Sequence, residues 1–155
     1  VVAHAVGETG DVCGLESVPL VALMTRFGLE SLQTNFSDTS PELRAAAGRI
    51  EVVPADHAAY LPELPYGAFD VVYFDPMFRR PKKSSSGIQS LRDYADARPL
   101  TRETLQQALR VAKSRVVIKE LSGSSEFARL GIRHFAGGQH SSLQYGILHK
   151  GEEPG

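Results

Sequence analysis

Cysteine is almost missing from this sequence. Cys13 stands alone, so no intrachain disulfide can form and a Cys-rich zinc site is excluded. An excess of positive charge is missing too. Seventeen Lys and Arg face eighteen Asp and Glu, a net charge of −1, so any nucleic-acid binding must be local rather than spread over the whole surface. No apolar run approaches the length of a membrane span, and no signal-peptide pattern opens the chain. His4, His57, His134, His140 and His149 show no metal-ligand spacing, so no metal is expected. No nucleophile elbow surrounds a serine, which removes the usual support for hydrolase chemistry. The Gly-x-Gly-x-x-Gly turn of a nicotinamide-binding domain is also lacking. What remains is a soluble protein of a reducing, cytoplasmic compartment. Its 155 residues are enough for one domain with a real core.

Short β-branched runs alternate with helical patterns. Val12 to Leu15, Ile50 to Val53, Phe69 to Phe74 and Arg115 to Lys119 read as strands. The third is almost continuously apolar, as a strand covered on both faces should be. Ser17 can cap a helix with an apolar stripe at Leu20, Leu23, Met24 and Phe27, and Gly28 is placed to end it. Thr39-Ser40-Pro41-Glu42 opens another helix. Thr101 can cap a third, with Leu105, Ala108, Leu109 and Ala112 on one face, and Ser125 to Leu130 forms a short fourth ended by Gly131. Ile132 to Phe135, Gly137-Gly138, and then Leu143, Tyr145 and Ile147 at alternate positions predict an antiparallel hairpin. The fold class is therefore α/β, a mostly parallel sheet with a C-terminal antiparallel hairpin. Residues 1–150 are expected to form a single domain, and residues 151–155 a frayed tail.

Three acids follow three strands: Glu16, Asp56 and Asp75. In one parallel sheet all strand C-termini share an edge, where open α/β sheets bind ligands, so these side chains are expected to line one crevice. The plainer reading is that each caps the following helix. Glu16 is the type of residue that accepts both hydroxyls of a nucleoside ribose. Asp56, followed by His57, could contact an adenine amine or cap the segment through Leu61. The most specific string is Tyr73-Phe74-Asp75-Pro76-Met77-Phe78. The lone pair of an exocyclic base amine is delocalised into its ring. Hydrogen bonds from that amine to a carboxylate and to the Pro76 carbonyl can hold it in line and localise the pair. Phe78 can stack on the base. The alternative is a strand end, a tight turn and one buried Phe. Lys119-Glu120 ends a strand on the same edge, either lining the crevice or forming a surface ion pair, and Cys13 is expected in the core. Arg79-Arg80-Pro81-Lys82-Lys83 places four cations beside the string, ahead of Ser84-Ser85-Ser86-Gly87. Such a run is either a solvated loop or a phosphate-gripping one, and the second reading reconciles a near-neutral chain with a nucleic-acid substrate.

Phe69-Asp70-Val71-Val72-Tyr73-Phe74-Asp75-Pro76-Met77-Phe78 resembles the signature of the RsmJ-like family. These are class I S-adenosylmethionine (SAM) methyltransferases that act on the N2 amine of a guanine in small-subunit ribosomal RNA. Gly14-Leu15-Glu16-Ser17 with Pro19-Leu20, Ile50 to Val53 with Asp56, and Arg115 to Lys119 resemble the same family in the same order. The resemblance implies a Rossmann-like, seven-stranded sheet, SAM as cofactor, and ribosomal RNA or the small subunit as partner. It places the cofactor at Glu16, Ser17, Asp56, His57 and Asp75. The acceptor base falls at Asp75, Pro76 and Phe78. The phosphate-gripping reading of Arg79, Arg80, Lys82 and Lys83 rests on the charge run itself, since the family often has a Pro where this chain has Arg79. The strand count is one short of seven. The family's first strand and its Gly-rich loop are the expected absentees, since no Gly-x-Gly follows a strand before Val12. Two rivals stay open: methylation of adenine N6 or another amine, and a non-catalytic RNA-binding module of the same fold.

Overall fold

A computed structural model describes residues 2–34, 39–76, 98–138 and 141–154. They fall into two compact units, Val1–His57 and Ala58–Gly155.

The first unit contains α1 (Val2–Ala5), β1 (Val12–Leu15), α2 (Pro19–Thr34), α3 (Pro41–Gly48) and β2 (Ile50–Val53). β1 and β2 run parallel, paired from Val12↔Ile50 to Leu15↔Val53. Ser40 caps α3, its hydroxyl accepting the Leu43 N–H at 3.3 Å. The cap is thus the second residue of the Thr39-Ser40-Pro41-Glu42 string. Pro41 takes the first helical position, where a missing N–H costs nothing. α2 departs further from expectation. It begins at Pro19, and the oxygen at its entry is supplied by Glu16, which accepts the Val18 N–H at 2.8 Å, rather than by Ser17. Gly28 does not end it, and the helix continues to Thr34. A glycine within a helix weakens it by roughly 0.5–1 kcal/mol relative to Ala, which its neighbours can absorb. Leu20, Leu23, Met24 and Phe27 are all half-exposed or more, whereas Ala22 is buried. Helical spacing identifies a face without saying which way it turns, and α2 has apolar side chains on both sides.

The second unit holds most of α4 (His57–Glu63), then β3 (Phe69–Phe74), α5 (Arg102–Val111), β4 (Ala112–Leu121), α6 (Ser125–Arg129), β5 (His134–Ala136) and β6 (Leu143–His149). Its sheet has the order β3-β4-β6-β5. β3 and β4 are parallel, while β6 lies antiparallel to both β4 and β5. The predicted hairpin is present, with His134 opposite Ile147 and Ala136 opposite Tyr145. The described strands thus number six, in two sheets, with parallel pairing at β1–β2 and β3–β4.

α5 is capped as expected, Thr101 Oγ1 accepting the Thr104 N–H at 3.1 Å. Leu105, Ala108 and Leu109 are buried against Val116 and Ile118 of β4 and Phe127 of α6. Val72 and Phe74 of β3 pack onto the same core, but the alternate residues Val71 and Tyr73 each remain 39% exposed. The strand expected to be covered on both faces is covered on one among the described residues. A continuous apolar run does not reveal where its cover comes from. The C-terminal end of α5 is closed by Lys150, whose Nζ donates to the carbonyls of Arg110 and Ala112 at 3.0 and 2.8 Å. This satisfies oxygens that a helix end leaves orphaned, with a charge of the favourable sign. The tail expected to fray is tied down at Glu152. Its carboxylate accepts the His149 N–H at 2.7 Å and meets His134 Nε2 at 2.9 Å.

Leu105 has no exposed surface. Leu105→Ala is therefore expected to cost about 2–5 kcal/mol in chemical denaturation, the range for truncating a buried leucine. A loss within the noise of the measurement would mean that α5 does not pack on β4 in solution.

Candidate active site

The end of β3 is defined by its pairing. Phe74 stands opposite Ile118 in the parallel ladder, so the next residues on each strand, Asp75 and Lys119, also stand opposite one another. Lys119 Nζ donates to Asp75 Oδ2 at 2.8 Å. Side chains alternate across a strand, so Val72, Phe74, Val116 and Ile118 enter the core while Tyr73, Asp75 and Lys119 take the other face. Tyr145 of β6 lies opposite Lys119 from the far side. The hydrogen bond to Asp75 holds the Lys119 ammonium above the usual lysine range, outweighing the opposing pull of burial. Burial, reinforced by the Asp75 carboxylate, pushes the Tyr73 hydroxyl up. At neutral pH this corner therefore holds a charged lysine and a protonated tyrosine.

Asp75 and Pro76 are the last described residues of this string. Phe78, Arg79, Arg80, Lys82 and Lys83 lie outside the described residues.

The cofactor residues expected from sequence sit in the first unit, apart from Asp75. Glu16 directly follows β1, and its N–H donates to the Val53 carbonyl at 3.1 Å, extending the β1–β2 ladder by one bond. Its Oε1 is held by the Val18 N–H. Ser17 comes next, in the turn leading to α2. Asp56 immediately precedes α4, where a helix-capping residue stands, and His57 opens that helix. Asp56 Oδ1 lies 3.9 Å from His57 Nδ1. Glu16 and Asp56 thus follow paired parallel strands at the same edge. The open grooves lined by Gln33, Arg44 and Gly48, and by Arg26, Glu30 and Val53, contain none of these residues.

The structure brings together Asp75 with Lys119, and Asp56 with His57. Lys119 was expected either to line a crevice or to form a surface pair; its partner is Asp75, and Glu120 instead accepts the Leu121 N–H at 2.8 Å. The signal was available in principle, because parallel strands ending in Phe-Asp and Ile-Lys place the two charges side by side once their register is known. Cys13 is half-buried in β1 opposite Glu51, and burial, with Glu51's charge added, raises its thiol pKa. It stays a protonated thiol, not a nucleophile. Among the described residues no cluster of three or more His, Cys, Asp or Glu could hold a metal ion, and no helix is long and apolar enough to cross a membrane.

Comparison with known proteins supplies the wider frame. Residues 5–131 match the model of the family described as "Putative SAM-dependent methyltransferase". The Bacillus subtilis protein YpiP is 41% identical over 131 residues, covering 84% of this chain and 49% of that protein. A Coxiella burnetii protein named ribosomal RNA small subunit methyltransferase J is 37% identical over 112 residues, covering 70% of this chain and 41% of that one. The crystal structure of a SAM-dependent methyltransferase from Neisseria gonorrhoeae superposes with a TM-score of 0.65 at 19% identity, covering 97% of this chain and 57% of that one. The last likeness bears on fold alone. The chain spans about half the length of the curated relatives it matches. Its strand-end acids stand on an α/β framework shared with a SAM-dependent methyltransferase, and the family model covers most of its length: the chain belongs to this SAM-dependent methyltransferase family, whose cofactor is S-adenosyl-L-methionine.

Proposed function

We propose that this chain serves SAM-dependent methyl transfer to an exocyclic amine of a nucleic-acid base, with guanine N2 of small-subunit ribosomal RNA as the substrate. The observation that carries this reading is the Asp75-Pro76 pair at the C-terminal end of a parallel strand, its carboxylate half-exposed. The relative named for small-subunit ribosomal RNA methylation supports the choice of RNA.

The residues present fit part of the cofactor. Glu16 has one oxygen fixed by the Val18 N–H, which orients the other toward a diol donor. Asp56 and His57 at the neighbouring strand end suit the adenine. Ser17 stands beside Glu16 with a hydroxyl to offer. When bound, SAM supplies an activated sulfonium methyl group, so little acid–base work falls to the protein. The chain's contribution is orientation and exclusion of water. Asp75 accepts an amine hydrogen, the Pro76 carbonyl accepts a second, and Phe78 stacks on the base, which must leave its own stack to reach them. Arg79, Arg80, Lys82 and Lys83 grip the flanking phosphates. The acid-Pro string by itself also suits adenine N6, which makes that amine the second reading.

Four outcomes test this. In the full-length protein, Glu16→Ala should weaken SAM binding by about 1.5–3 kcal/mol in calorimetry, the range for hydrogen bonds to a charged group. Unchanged affinity removes Glu16 from the cofactor site. Neutralising Arg79, Arg80, Lys82 and Lys83 together should weaken RNA binding and flatten its salt dependence while SAM binding persists. An unaltered salt slope would make the run a solvated loop. Asp75→Ala should lower methyl transfer by about 10²-fold or more, while Asp75→Asn, which keeps an acceptor oxygen, retains partial activity. Full activity in Asp75→Ala refutes the mechanism. Labelled methyl found in N6-methyladenosine rather than N2-methylguanosine shifts the substrate to adenine.

A further inference from the structure

Two Lys–Asp pairs bridge β3 and β4, and they differ in kind. At the start of β3, Lys113 Nζ meets Asp70 Oδ1 at 3.1 Å, with 58% of the lysine side chain and 85% of the aspartate exposed. Such an exposed pair contributes little, being screened by solvent on both sides. At the other end, Lys119 Nζ meets Asp75 Oδ2 at 2.8 Å, with only 21% of the lysine side chain exposed against 47% of the aspartate. The covered member is the cation and the open member is the acid.

That asymmetry has a structural source. Lys119 lies on β4, paired on one side with β3 and on the other with β6. Tyr73 and Tyr145 lie on the same face beside it, and most of its aliphatic stem is covered. Asp75 is the opposite case. It lies one residue past the end of β3, and an isolated aspartate there would sample several χ1 rotamers. The ladder therefore delivers a confined donor to one oxygen of a carboxylate that has no other anchor among the described residues.

We propose that Lys119 is the positioning residue for Asp75: it anchors Oδ2 and so presents Oδ1 to the methyl-accepting amine. This rests on the reading of Asp75 as the group that orients the amine. Lys119 touches neither the base nor the cofactor in this account. It narrows the directions from which the carboxylate can accept a hydrogen bond, and orientation of that kind is where an enzyme with an already activated methyl donor gains its rate, the amine releasing one proton to solvent once the new bond has formed.

The test uses Lys119→Met, Lys119→Arg and, as a control, Lys113→Met, each in the full-length protein. The probes are labelled SAM and undermethylated small ribosomal subunits. Three-bond couplings to the Asp75 β-protons should report one χ1 rotamer in the parent and in Lys113→Met, and an average in Lys119→Met. The turnover number of Lys119→Met should fall on the order of 10- to 10²-fold, the scale for a misplaced orienting group, with KM values little changed. Lys119→Arg, which keeps a cationic donor, should recover part of that loss and a preferred rotamer. If Lys119→Met does not fold, Lys119→Gln is read by the same two measurements. A single Asp75 rotamer without Lys119, or an unchanged turnover number, overturns the proposal. Inactive Asp75→Ala beside fully active Lys119→Met overturns the positioning role alone. Active Asp75→Ala overturns the reading of the site beneath it.

Discussion

The parallel pairing of β3 with β4 sets the second unit. Its register, Phe74 against Ile118, decides two things at once. It sends Val72, Phe74, Val116 and Ile118 into the core beneath α5. On the other face it lines up Tyr73, Lys119 and Asp75. A slip of one residue would exchange the faces, burying the lysine and exposing the isoleucine. The same hydrophobic burial that stabilises the unit therefore also aligns its charged corner. The register is in turn held by α5, whose capped N-terminus and Lys150-closed C-terminus fix the ends of the helix lying over the sheet.

Electrostatics follows a similar economy. A chain of nearly zero net charge has no long-range field to attract a polyanion. The one dense block of cations, Arg79 to Lys83, comes directly after the Asp75 string in sequence. If the substrate is RNA, attraction to its backbone is confined to the neighbourhood of the acid that would receive the base. Glu16 has a settled structural use of its own: one carboxylate oxygen holds the entry of α2, which restricts the side chain.

Several features were legible from residues alone. The caps at Thr101 and near Ser40, the six strands and the terminal hairpin all follow from local rules, because turn residues and β-branched runs act over a few positions. Asp75 is singled out by its string, and its proposed role rests on the residue types that holding an amine would call for together. What failed were statements about faces and neighbours. Gly28 did not stop its helix, and among the described residues β3 is covered on one side.

The sequence by itself determined which segments form strands, which acids follow them, and that no disulfide forms within this chain, because each depends on residue type and short-range spacing. The tertiary structure alone decided that Asp75 belongs with Lys119, forty-four positions away, and that Glu16 serves the entry of α2. Partners across a ladder are chosen by register, and register is an outcome of packing the core. No local pattern contains it.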